Sequence, residues 1–266
     1  MLGKLLKYEF KAVGRIMLPL YAAVILFSVI FAVSMKSFSD LGVLNVVLTV
    51  LFSVTVAATI IMTLVLIIQR FYKNLLGNEG YLMFTLPVTT GKHITNKTIS
   101  AAVWVFLGCI VGCISVLLIC MINAGPGVVN GSISDFFHAV GRDIGWGKAI
   151  LYIIEAIVIA LICCGEGAVK LYAAIAVGHQ LSNHRALGAI GAYIGFGIIE
   201  VILVNCFGTL LEKVTPDNWY YRLTAGMGEV GSMQMGLLIF ALVAIALLVI
   251  YWFVTWKLLD KRLNLQ

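Results

Sequence analysis

Six runs of roughly 20 apolar residues, each about the length that crosses a bilayer core of ~30 Å, constrain this chain more than any other feature. They lie near 16–35, 41–68, 99–122, 149–177, 186–207 and 235–256. The second and fourth are long enough to need tilt, or to extend as helix beyond the hydrocarbon. Hydrophobic residues make up 62% of the chain and charged residues 11%, and the mean hydropathy is +1.06. Those values exclude an ordinary soluble domain. In lipid a spanning backbone must satisfy its own hydrogen bonds, so the expected fold is an all-α membrane protein, with residues 1–266 forming one membrane domain.

Lysine and arginine near the span ends set the expected orientation. Lys4, Lys7, Lys11 and Arg15 precede the first span, and Arg70, Lys73, Lys92 and Lys97 lie between the second and third. Arg185 falls between the fourth and fifth, and Lys257, Lys261 and Arg262 follow the sixth. Both termini are therefore expected in the cytoplasm, with the chain a multi-pass protein of a cell membrane. The net charge of +6 then reflects topology and anionic lipid headgroups, with no nucleic-acid partner. Residues 1–15, MLGKLLKYEFKAVGR, set Leu2, Leu5, Leu6, Phe10 and Val13 at helical spacing against Lys4, Lys7 and Lys11. This pattern predicts an amphipathic interfacial helix, or else an extension of the first span. The first apolar run exceeds the 7–15 residues of a signal peptide, so it is read as an uncleaved helix.

Little in the sequence points to bond chemistry. A phosphate loop would need Gly at Arg142 and Ser or Thr at Ala149 to accompany Gly147 and Lys148, or Gly at Leu86 to accompany Gly91 and Lys92. Neither holds, and no catalytic residue is assigned. His179 and His184 share a short turn, but no H-E-x-x-H pattern or cysteine partner accompanies them, so no metal site is assigned. Cys109, Cys113, Cys120, Cys163, Cys164 and Cys206 sit within or beside spans without C-x-x-C spacing, and are expected to be reduced packing residues.

Charges inside spans are costly and usually face protein or a water path. The fourth span carries Glu155, Glu166 and Lys170, and the fifth carries Glu200. Glu166 and Lys170, four apart, predict an ion pair along one helix, either structural or engaged in gating or substrate passage. Glu155 is expected near the outer surface and solvated, whereas Glu200 has no partner in its own span. In the second span, Asn45, Thr49, Ser53, Thr55, Thr59 and Thr63 fall within an arc of roughly 160° and form a stripe for either path lining or helix packing. Gly188, Gly191 and Gly195 supply a close-approach face, within the subunit or across a dimer.

Between the second and third spans, residues 77–97 read GNEGYLMFTLPVTTGKHITNK. Gly77 and Gly80 break the helical pattern, Tyr81, Leu82, Met83, Phe84 and Leu86 form a short apolar turn, and Pro87 ends it. Thr89 or Thr90 then caps a helix running into the third span. A short helix on the cytoplasmic side suits either a partner's groove or the lipid surface.

Residues 70–100, RFYKNLLGNEGYLMFTLPVTTGKHITNKTIS, resemble the cytoplasmic loop of type-2 ABC transporter permeases, the membrane subunits of bacterial ATP-binding-cassette exporters. Glu79, Gly80, Tyr81, Leu82, Leu86, Pro87, Val88, Thr89 and Lys97 carry the resemblance. It implies six spans, a coupling helix at 79–87 that meets a separate ATPase subunit, and a second permease subunit, identical or homologous. It also implies a partly re-entrant outer segment, here 208–234 with Trp219, Tyr220 and Tyr221. ATP and Mg would bind the partner, since no nucleotide-binding domain is recognisable within these residues. Beside this stand two alternatives: a membrane scaffold or sensor using the same loop, and an ion-coupled secondary transporter using Glu200 or Glu166.

Overall fold

Each apolar run has only its own carbonyls to satisfy its amides, and each accordingly forms a continuous helix. The computed structural model describes residues 2–37, 42–76, 89–181, 184–212 and 229–261. Among these residues the α-helices are α1 (Leu2–Ser37), α2 (Gly42–Phe71), α3 (Thr90–Ala124), α4 (Pro126–Asp143), α5 (Trp146–Gly178), α6 (Arg185–Glu212) and α7 (Glu229–Lys261), and no strand occurs. Six are long and apolar enough to cross a membrane, all but α4. The chain is an all-α protein with the makings of a multi-pass membrane protein.

Residues 2–15 follow the second of the two readings above, an extension of the first span. α1 runs through Arg15 without a break, so residues 2–15 are the first turns of the same helix that forms the first span. Its apolar residues explain why: Phe10 and Val13 pack in the same cluster as Met17, Tyr21 and Trp104. α4 was not anticipated at all, because its apolar positions are separated by glycines and serines that read as loop. The segment 208–234 is helical as far as Glu212, and Trp219, Tyr220 and Tyr221 lie outside the described residues.

The chain packs as two units, one of residues 1–73 with 99–164 and the other of residues 74–98 with 165–266. In the first, α1 and α2 form an antiparallel hairpin along their full length. Glu9 meets Arg70 at 3.0 Å, Thr63 Oγ1 approaches Met17 Sδ at 3.8 Å, Phe31 stacks on Phe52 at 5.3 Å between ring centres, and Ser34 Oγ donates to Asn45 Oδ1 at 2.9 Å. As one partner number rises the other falls, which is the signature of antiparallel packing. Val13, Met17 and Tyr21 of α1, Leu66 of α2 and Trp104 of α3 make the core, and Tyr21 Oη donates to the Trp104 carbonyl at 2.6 Å.

In the second unit, Val169 and Ala173 of α5 and Tyr251 of α7 form the core, with Phe196, Leu247, Trp252 and Val254 against it. The first turns of α3 belong here and are unusually polar for buried helix: His93, Asn96, Lys97 and Thr98 are all buried. They are held by both neighbours. Trp252 Nε1 donates to Thr95 Oγ1 at 3.3 Å, and Tyr172 Oη donates to the Lys97 carbonyl at 3.4 Å. At Gly91 a Cβ would lie 3.0 Å from the Trp252 ring, so glycine gives α3 room to approach α7 there without displacing the indole.

Candidate functional site

The most polar association inside the spans is built by three helices of the second unit. α5 contributes Glu166 and Lys170, α6 contributes Glu200 and Tyr193, and α7 contributes Tyr251. Lys170 Nζ forms a salt bridge with Glu200 Oε2, and Tyr251 Oη donates to Glu200 Oε1 at 2.6 Å. Each oxygen of that carboxylate therefore has its own donor. The Lys170 ammonium also lies over the Tyr193 ring, 5.1 Å from its centre, within the range of a cation–π contact. The pair is well shielded: the side chains of Lys170 and Glu200 are 11% and 19% exposed.

Burial of this kind is tolerable only because charge and hydrogen bonding are satisfied together; a lone ion in the same place would cost several kcal/mol, by a rough count. Local sequence explains how the groups meet. Val169 and Ala173 flank Lys170 on the buried face of α5, and the small Ala173 admits Tyr251 close by. Above the ammonium, a Cβ at Gly197 would come within 3.7 Å of Nζ, so α6 offers a smooth surface beside the pair.

Glu166 lies beside Glu200 and within electrostatic reach of Lys170. Its Oε1 is buried and has no hydrogen-bond partner among the described residues. The anticipated Glu166–Lys170 pair along α5 is thus replaced by a pair between helices, because α6 brings Glu200 to the ammonium. Glu200, without a partner on its own helix, has two on others. The cluster holds two carboxyl groups for one ammonium, and Lys170 has a second acidic partner one helical turn away.

Glu155 is half-buried, where full solvation was expected. It sits about 14 Å along α5 from Trp146 at 1.5 Å per residue, and its Oε1 is buried without a hydrogen-bond partner among the described residues. It belongs to the other unit.

The α2 stripe is satisfied within its own helix. Thr49, Ser53, Thr55, Thr59 and Thr63 each donate a hydroxyl to the carbonyl four residues earlier, at 2.7–2.8 Å, and Asn45 accepts from Ser34. Back-bonding of this kind leaves the hydroxyl oxygens able to accept but removes any need for a partner helix. Of the glycines in α6, Gly188 does serve a close approach, to Leu181 and Gly178 in the α5–α6 turn. Gly191 and Gly195 meet nothing within 4 Å among the described residues. The cysteines form no disulfide among the described residues; Cys109, Cys113, Cys120 and Cys206 are exposed on the spans rather than packed within them.

In the α5–α6 turn, burial first and the nearby Arg185 second hold the His179 imidazole below its ordinary pKa. No group of three or more His, Cys, Asp or Glu side chains is placed to hold a metal ion among the described residues.

The residues read as the partner contact, Glu79, Gly80, Tyr81, Leu82, Met83, Phe84, Leu86 and Pro87, lie outside the described residues. What borders them is described. α2 ends in a wider π-helical turn, Tyr72–Leu76, with Phe71 and Leu75 fully buried, and α3 starts at Thr90 with Lys92 N donating to the Thr89 carbonyl at 2.9 Å. Sequence reasoning missed Tyr251, Tyr193, Trp252 and Thr95. Nothing in the order of residues separates Tyr251 from the many aromatics of a membrane helix, and its role exists only because α6 places Glu200 opposite it.

No family model, curated protein or solved structure matches the chain.

Proposed function

We propose that the chain is the membrane-spanning permease subunit of an ATP-driven exporter, paired with a second permease subunit and coupled to a separate ATPase through residues 79–87. The loop resemblance supplies the family, and the packing of the loop's exit helix is the observation that carries the reading. The first turns of α3 are clamped to α7 through Trp252 and to α5 through Tyr172. Tyr251 and Lys170, beside those two contacts in sequence, hold Glu200. On this reading a displacement of 79–87 is passed through α3 to α5, α6 and α7 by these side-chain contacts.

The charge cluster fits such a motion. If α6 moves away from α5, Lys170 can exchange Glu200 for Glu166 on its own helix and is never left bare in the membrane. ATP and Mg bound to the partner would supply the energy; this chain transmits it and lines the path, with the α2 stripe as a candidate wall. On this reading residues 79–87 and both termini face the cytoplasm, which the lysine and arginine distribution favours, and the membrane is that of a bacterial cell, which the loop resemblance implies. A second reading, an ion-coupled transporter, is favoured by one specific observation, the excess carboxyl of the Glu166–Lys170–Glu200 cluster.

The deciding experiment is purification of the tagged chain from its native membrane in mild detergent, with mass spectrometry of co-purifying proteins and an ATPase assay. A stoichiometric P-loop protein, lost from a Tyr81→Asp, Leu82→Asp variant that still folds, is the expected result. A chain that purifies alone, from membranes in which no ATPase activity follows the tag, refutes the permease reading. Transport then sensitive to an ion gradient and lost in Glu200→Gln supports the ion-coupled one.

A further inference from the structure

Helix α4 takes no part in the transport reading, yet it carries a sharply divided surface. At 100° per residue, Val129, Ile133, Phe136, Phe137 and Val140 fall within an arc of roughly 100°, while Asp135, His138 and Arg142 gather on the opposite side. In a soluble protein that apolar arc would face a core. Val129 at its start is buried, but the rest is largely uncovered: Ile133 is 39% exposed, Phe137 45% and Phe136 64%, and the adjoining Trp146 is 55% exposed. These rings are ordered against one another, with Phe136 edge-on to Phe137 at 5.8 Å and Phe137 stacked on Trp146 at 6.0 Å.

We infer that α4 is an interfacial helix, with its apolar face and Trp146 seated at the headgroup and upper acyl level of the bilayer that α3 and α5 cross. The occupant follows from how the helix is tethered. α4 is joined to α3 by Gly125 and to α5 by Ile144 and Gly145, and both glycines adopt a positive φ, 87° and 82°, that breaks the helix between consecutive elements. Connections this short hold all of α4 at the level where two spans leave the hydrocarbon, and lipid is present there whatever else binds. Indole and phenyl rings are the side chains that partition to that level. The turn into α5 is fitted to the arrangement: a Cβ at Gly141 would lie 2.8 Å from Trp146 Nε1, so the indole rests flat on the bare backbone of α4 beside Phe137. The polar side carries both signs of charge, Asp135 and Arg142, so the attraction is apolar and does not require anionic lipid. The inference needs only the membrane spans and stands whether or not an ATPase drives the chain.

The test uses the full chain reconstituted in phosphatidylcholine vesicles, with a photoreactive benzophenone amino acid replacing one residue at a time and adducts identified by mass spectrometry. Positions 133, 136 and 137 should give phospholipid adducts within about twofold of those at position 242, an exposed site in the middle of α7 that reports insertion. Positions 135 and 138, on the polar side, should give several-fold fewer, and raising the salt concentration should not change the pattern. Lipid labelling equally low on both sides of α4, with position 242 labelled normally, would place the helix in water and overturn the inference. Chain-to-chain adducts at 136 and 137 in place of lipid would overturn it in favour of a second copy covering this face.

Discussion

Lys170 has two acidic neighbours, and this predicts a strongly non-additive response to removing them. Glu166→Gln alone leaves the Lys170–Glu200 pair and the Tyr251 hydrogen bond intact, so its effect on stability should be small. Glu200→Gln removes the interhelical pair but leaves Lys170 free to turn to Glu166 on its own helix, while Tyr251 can still donate to the amide oxygen. The loss is then a charged hydrogen bond exchanged for a weaker one, about 1–2 kcal/mol. The double variant strands an ammonium whose side chain is only 11% exposed, and breaking a buried pair by removing one sign of charge costs about 3–5 kcal/mol. Lys170→Ala should resemble the double variant, because it leaves two carboxyl groups with one phenol between them. At roughly 2–4 °C per kcal/mol for a chain of this size, Glu200→Gln should lower the thermal midpoint by about 4 °C. The double variant and Lys170→Ala should each lower it by on the order of 10 °C. Fluorescence-detected size-exclusion chromatography after heating, in detergent at pH 7, reads all four. Additive effects of the two glutamine substitutions, or a Lys170→Ala variant no weaker than Glu200→Gln, would refute the idea that Glu166 is the reserve partner.

Two further outcomes follow from local geometry. Gly91→Leu forces a side chain against the Trp252 ring, where a Cβ already has only 3.0 Å; it should cost about 1–3 kcal/mol, while Gly112→Leu on the same helix, with open space around it, should leave the thermal midpoint within about 1 °C by the same scale. His179 is held below the ordinary histidine value of 6.5 by burial and Arg185, so its neutral form is favoured in the folded state. The stability this gives is fully present above pH 6.5 and is lost as pH falls through the lower folded value; a thermal-midpoint series from pH 7.5 to 5 should therefore decline less steeply in His179→Gln than in the parent chain.

Much of the architecture is legible in the residues alone because lipid imposes a single rule, that every spanning backbone group bonds within its own segment. The six long apolar helices and the helix leading into the third span are in the sequence for that reason. Two other features needed more than a hydropathy window. The fusion of residues 2–15 with the first span depends on Phe10 and Val13 finding Trp104, which lies on another helix. α4 was hidden because its glycines and serines weaken local helical signal, and its division into two faces shows only once the backbone is helical.

The candidate site divides in the same way. Glu166, Lys170 and Glu200 stand out in the sequence, since charge in an apolar run is conspicuous. Their pairing does not, because four-residue spacing along α5 names Glu166 as the partner of Lys170, whereas distance in three dimensions names Glu200. Tyr251 carries no such flag. Sequence by itself determined which segments are long and apolar enough to cross a membrane and which charges fall within them, because both follow from one-dimensional hydrophobicity. Only the tertiary structure decided which charges meet, because pairing depends on the approach of three helices whose contacts are made by small and aromatic side chains far apart in the chain.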